Sequence, residues 1–161
     1  MKSGKAVKLV GTNSAYLRDT LLKLRGFDPS YAYFLDDTDL SLRLANAGMT
    51  AAIAPLAEVH HAFAPSSRRT ILRAPTFLGD IGHSAAVFLR RHKGISEEEL
   101  LARLCARERS RLIRHMVQGT CEPRDIRRLM KGLIDGWTAG LDVALPNLKP
   151  LEDEHTPFKR I

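Results

Sequence analysis

The feature that most constrains this chain is a run of acids placed where an apolar stretch turns into a helix. Tyr31-Ala32-Tyr33-Phe34-Leu35 leads straight into Asp36-Asp37-Thr38-Asp39-Leu40-Ser41-Leu42-Arg43-Leu44. The apolar run belongs in or against a core, so the acids emerge at its lip. Leu40, Leu42, Leu44 and Ala47 supply the apolar positions of the helix, Arg43 its polar face and Gly48 its C-terminal stop. The acids have two readings. An acidic first turn suits the positive end of the helix dipole, and Asp36 with Asp39 has capping-box spacing. Capping accounts for one or two carboxylates. A carboxylate at the edge of a partly apolar site is also poised to act as a base.

Before this run, Lys5 to Val10 alternates as a short strand ended by Gly11. Thr12 or Asn13 can cap a helix with Ala15, Leu17, Leu21, Leu22 and Leu24 on its apolar face, stopped by Gly26. Phe27-Asp28-Pro29-Ser30 reads as a turn. After Gly48, Thr50 to Ala54 is expected as a buried strand, and Leu56 to Phe63 as a second extended segment carrying Glu58, His60 and His61. Neighbours on a strand point to opposite faces, so one of the two histidines can face a given site.

Past Ala64, helix signals dominate after the loop Pro65-Ser66-Ser67-Arg68-Arg69. Phe77, Ile81, Ala85 and Phe88 share a face, with Pro75 at its start or at a kink. Ser96 and Glu99 form a capping box, with Ile95 and Leu100 as its hydrophobic staple. The buried stripe is then Leu101, Leu104, Cys105, Leu112 and Met116, and Arg103, Arg107, Arg111 and Arg114 take the wet side until Gly119. A third helix starts near Pro123, with Ile126, Leu129, Met130, Leu133, Trp137 and Leu141 inward. Gly132, Gly136 and Gly140 recur at four-residue spacing on it, which predicts close helix packing. Residues 147–161, with Glu152-Asp153-Glu154, read as a loose tail.

With 161 residues, 44% hydrophobic and 27% charged, the chain suits a soluble globular protein with a core of its own. No apolar run reaches the roughly 18 residues of a membrane span, and no signal-peptide core follows Met1, so the expected compartment is the cytoplasm. Cys105 and Cys121 lack metal-like spacing and are expected as reduced packing residues. The net charge of +7 is concentrated between Arg68 and Lys131, where 15 Lys and Arg face 7 Asp and Glu. Such a region is a solvated face or meets a phosphate-bearing substrate or an anionic membrane surface. Nucleic acid is not expected, because no recognised reading motif accompanies the charge.

In order and spacing, Gly11-Thr12-Asn13, Gly26-Phe27-Asp28, Asp36-Asp37-Thr38-Asp39-Leu40-Ser41-Leu42-Arg43-Leu44, Gly48, Pro55 and His60-His61 resemble the acceptor-side half of family 2 glycosyltransferases, inverting enzymes of the GT-A fold. The likeness runs from Lys8 to Ala64, and the ordered set carries it rather than any single piece. Two departures matter. The family usually has Glu at the position of Asp36, and its nucleotide-binding sheet with an Asp-x-Asp metal motif has no counterpart here. The resemblance implies an α/β architecture: residues 1–64 as the acceptor-side half of a Rossmann-like GT-A domain with a few short strands, 65–146 as a helical extension and 147–161 as the tail.

It also implies chemistry. The expected reaction is sugar transfer with inversion from a nucleotide-sugar donor to a hydroxyl of a sugar or lipid-linked acceptor. Asp37 is the implied base and Asp36 holds acceptor hydroxyls or tunes Asp37. Asn13 is implied to touch substrate. Asp39 belongs to the same substrate-side set but is better placed as a helix-end structural acid. Arg68 and Arg69 are implied to hold the donor phosphates. His61, aligned from Pro55, lies near a divalent metal, Mn or Mg, whose full site this chain does not complete. Two rival classes stand beside this reading. One is a non-catalytic fragment or subunit that needs a separate donor-binding half or self-associates; the other is a basic helical module on an anionic surface, including peripheral contact at the inner face of a membrane.

Overall fold

A computed structural model describes residues 6–62, 66–92 and 94–152. They fold into a short 3-10 turn, Gly11–Asn13, and five helices: α1, Arg18–Leu24; α2, Asp36–Asn46; α3, Gly79–Arg91; α4, Glu97–Val117; and α5, Pro123–Asp142. No strand or sheet forms among the described residues; the nearest approach is an isolated bridge between Arg69 and Pro75 in the loop before α3. The α/β, Rossmann-like GT-A architecture is therefore overturned.

The physical reason lies in the segments expected as strands. A strand persists only if its N–H and C=O groups find a neighbouring ladder. The described parts of Lys5–Val10 and Leu56–Phe63, and all of Thr50–Ala54, find none. Residues 51–62 are exposed throughout, with Ile53 at 86% and Leu56 at 98%. Their apolar content, read as burial, buries nothing. Lys5, Phe63 and the loop start at Pro65 lie outside the described residues, as does the tail beyond Glu152.

The core is instead made by α3, α4 and α5. Leu78, Ala85, Ala86, Leu104, Leu112, Leu129, Leu133 and Trp137 form one buried cluster, and burying each large side chain contributes on the order of 1.5–3 kcal/mol. Local signals set the ends of these helices. Ser96 Oγ accepts the N–H of Glu99 at 3.2 Å, with Glu97, Glu98 and Glu99 in the first turn of α4 and Arg114 and His115 in its last, as the helix dipole favours. Pro123 opens α5, where the Asp125 carboxylate accepts the N–H of Glu122 at 3.1 Å. Pro75 is buried in the loop ahead of α3 and kinks nothing. Phe77 lies outside α3 and exposed, because the helix starts only at Gly79.

The closest packing joins α3 to α5, backbone against backbone. A Cβ on Gly136 would strike the carbonyl oxygen of Gly79, one on Gly140 that of His83, and one on Gly82 that of Leu133. Gly132 departs from the expected stripe, with nothing within 4 Å of its would-be Cβ. Two of the three glycines are thus required by contact and the third is not. In urea unfolding, Gly136→Ala is expected to lower stability by about 1–3 kcal/mol through overpacking. Gly132→Ala is expected to raise it by about 0.5–1 kcal/mol through helix propensity. Equal effects at both positions would contradict this packing.

Candidate functional site

The acids of the opening run divide into two kinds. Asp39 is buried, its side chain 2% exposed. Its Oδ2 accepts from Arg43 Nε at 2.8 Å, and its Oδ1 pairs with His92 Nε2 at 2.7 Å and accepts from the Tyr31 hydroxyl at 3.3 Å. Arg43 goes further, donating Nη1 to Leu24 O and Nη2 to Gly26 O, both at 2.8 Å. It therefore ties α2 to the C-terminal end of α1 and is not the polar outer face expected of it. Asp28 is likewise buried. Its Oδ1 accepts from Ser30 N at 2.9 Å and its Oδ2 from Arg91 Nε at 2.8 Å. Arg91 and His92 stand at the end of α3, so both buried acids pin the α1–α2 region to that helix. Ser84 Oγ adds a bond from Ala32 N at 3.0 Å, and His83 Nε2 lies 3.2 Å from Ser30 O.

Electrostatics follow this geometry. Burial pushes the Asp39 carboxyl up, but hydrogen bonds from His92 and Arg43, and their charges, outweigh it and hold the group below its usual 3.8. Burial, then the charge of Asp39, lifts the Tyr31 hydroxyl far above the usual phenol range, which keeps it a donor.

Asp36 and Asp37 are the other kind. Both are half-buried in the first turn of α2. Asp37 Oδ1 accepts from the Thr38 hydroxyl at 3.1 Å, and no bond or ion pair reaches the Asp36 carboxylate among the described residues. Asp36 and Asp39 do not form the capping box that their spacing suggested. Asp36 is already helical, and the N-cap is Leu35, at φ 70° and ψ 1°, whose carbonyl accepts the Asp39 N–H at 2.8 Å. A left-handed conformation at a branched apolar residue costs on the order of 1–2 kcal/mol. It persists because Leu35 packs on the core cluster on one side of the turn while Asp39 is fixed on the other.

Against this turn lies the 3-10 turn at Gly11–Asn13. A Cβ on Gly11 would sit 4.0 Å from that of Asp37, and Leu9 N donates to Ser41 Oγ at 3.2 Å, which itself donates to Asp37 O at 2.7 Å. The segment carrying Asn13 and the acidic pair are thus brought together. Asn13 is exposed and caps no helix, since α1 begins only at Arg18. His61 lies in the exposed chain after α2. Among the described residues no three His, Cys, Asp or Glu side chains are gathered as metal ligands.

Arg68 and Arg69 fall in a cavity of about 250 Å³ between the loop before α3 and helix α4. The Arg68 guanidinium lies 4.3 Å from the Tyr33 ring centroid and donates Nε to Asp80 at 2.7 Å. Across the cavity Arg107 lies 5.1 Å from the Phe34 ring centroid and donates Nε to Glu108 at 2.9 Å, and Arg111 Nη1 reaches the same carboxylate at 3.1 Å. Arg107 and Arg111, expected on the wet side of α4, do stay in solvent contact, their side chains 54% and 34% exposed, while they line this cavity. Glu108, 3% exposed, was legible in one way: it lies four residues after Leu104 and four before Leu112, in the middle of the buried stripe. His92 and Arg91 gave no such signal, lying 53 and 63 residues from their acids.

No protein-family model, curated protein or solved structure matches the chain. No helix among the described residues is long and apolar enough to cross a membrane. Cys105 and Cys121 are free, and burial pushes both thiols up.

The Asp39 carboxyl has its pKa depressed in the folded state, so its contribution to stability is present above the ordinary value of 3.8 and lost as pH falls below it. Asp39→Ala strands the Arg43 charge and is expected to cost about 3–5 kcal/mol in urea unfolding at pH 7. Asp36→Asn is expected within about 0.5 kcal/mol of the parent. An acid titration of stability should flatten in Asp39→Ala; an unchanged profile would remove Asp39 from this role.

Proposed function

We propose that this chain is the acceptor-side, base-bearing part of an inverting glycosyltransferase, and that it works in the cytoplasm with a separate donor-binding part. The observation that carries the reading is the division of the acids. Asp28 and Asp39 are bound up in buried ion pairs, whereas Asp36 and Asp37 are left half-buried and lightly bonded at a strained turn. A base needs one carboxylate with room for the hydroxyl it deprotonates and a scaffold that holds it still. Asp37, half-buried and bonded at Oδ1 to the neighbouring Thr38 hydroxyl on a turn anchored by Asp39, is our candidate for that role. In the proposed step, the acceptor oxygen forms a bond to the anomeric carbon while the bond to the nucleoside diphosphate breaks. The hydroxyl proton passes to Asp37, and the diphosphate leaves with the electron pair. Asp36 holds a neighbouring acceptor hydroxyl.

On a glycan array the chain alone is expected to bind acceptor saccharides, with Asp36→Asn weakening the signal. Its thermal melt is expected to stay put with manganese and nucleoside diphosphates. A nucleotide at a hundred times its dissociation constant would add about 2.7 kcal/mol, so a metal-dependent shift would show that the chain holds donor by itself. No saccharide binding at all would remove the acceptor reading. Where transfer is reconstituted, Asp37→Asn is expected to abolish it with the melt unchanged, and retained turnover would clear Asp37 of the role.

A further inference from the structure

The cavity between the pre-α3 loop and α4 has a composition that the acidic turn does not explain. Four guanidiniums line it, from Arg68, Arg69, Arg107 and Arg111, against two carboxylates, from Asp80 and Glu108. The balance is two positive charges in excess. The carboxylates do not cancel the site; they orient it. Asp80 fixes Arg68 through Nε and leaves both terminal nitrogens without a hydrogen bond among the described residues. Glu108, itself buried, fixes Arg107 and Arg111 from beneath. Stacking on Tyr33 and Phe34 holds Arg68 and Arg107 at the cavity wall. Arg69, half-buried in the same wall, has no acidic partner among the described residues. Pinned guanidinium forks with donors to spare match the tetrahedral oxygens of a phosphate, and an excess of two matches its dianion.

We infer that this cavity binds a compact phosphomonoester of the size of a sugar phosphate. The size decides against a nucleotide: about 250 Å³ falls below the roughly 300–1,000 Å³ of pockets that enclose drug-sized ligands. Phe77, which also lines the cavity, would take the apolar face of the attached group, with the phosphate on the guanidiniums. Binding here needs neither Asp37 nor a donor, so the inference stands apart from the glycosyl-transfer reading.

The test is calorimetric titration of the full chain with glucose 6-phosphate, glucose and a nucleoside diphosphate at two salt concentrations. Glucose 6-phosphate is expected to bind, more weakly at high salt, and glucose not at all. Arg69→Ala, a change outside the core, is expected to weaken binding by about tenfold or more. Asp37→Asn is expected to leave it unchanged, so failure of one reading is visible apart from failure of the other. A second arm uses vesicles carrying phosphatidic acid, whose headgroup is the same phosphomonoester. Vesicle binding that Arg69→Ala lowers to the same degree assigns the cavity to a lipid-borne phosphate. Binding of the sugar phosphate alone assigns it to a soluble one, and either result supports the site. Binding of neither, binding that Arg69→Ala leaves unchanged, or tighter binding of the nucleoside diphosphate would overturn it.

Discussion

A single buried carboxylate organises the N-terminal part of this molecule. Asp39 gathers Arg43, His92 and Tyr31 around its two oxygens, and through them it joins the end of α1, the start of α2 and the end of α3. Without those partners a buried charge would be strongly disfavoured. With them it becomes a fixed point, and the turn just before it has no freedom left. Leu35 adopts a left-handed backbone there, and Asp36 and Asp37 are presented as a consequence. The same arrangement that makes Asp39 unavailable makes its two neighbours available.

The fixed point needs a rigid body to stand on. That body is the α3–α5 pair, where glycines let two backbones approach until no Cβ would fit. Interiors packed this closely do not yield to small displacements. Arg91 and His92 sit at the last turn of α3, so their positions inherit that stiffness. Arg91 also holds the segment after α5, donating to Pro146 O at 2.9 Å. Rigidity passes from the helix pair through two ion pairs to the acidic turn.

Much of this was legible from local pattern, and what failed shows where pattern stops. Ser96 and Pro123 mark the starts of α4 and α5 because capping is a matter of a few neighbouring residues. Gly136 and Gly140 announced close packing by spacing, while Gly132 shares the spacing but not the contact, which only the position of α3 decides. The strands failed for a related reason. Thr50 to Ala54 has the composition of a buried strand, but composition cannot supply the neighbouring ladder a strand needs. At the site, the acidic pair was visible and its supports were not. Nothing near Asp28 or Asp39 in sequence names Arg91 or His92, and nothing short of the folded α4 sets Arg107 and Arg111 beside the loop before α3.

The central claim is that the acidic turn and the helix pair are one mechanical unit joined through Asp39, and native-state amide hydrogen exchange tests it most directly. If they are joined, the amides of α2 and those of α3 and α5 open with the same free energy, and Asp39→Ala selectively releases α2. If α2 exchanges freely in the parent chain while α3 and α5 stay protected, the acids are not held by the bundle, and the account of Asp37 as a positioned base falls with them.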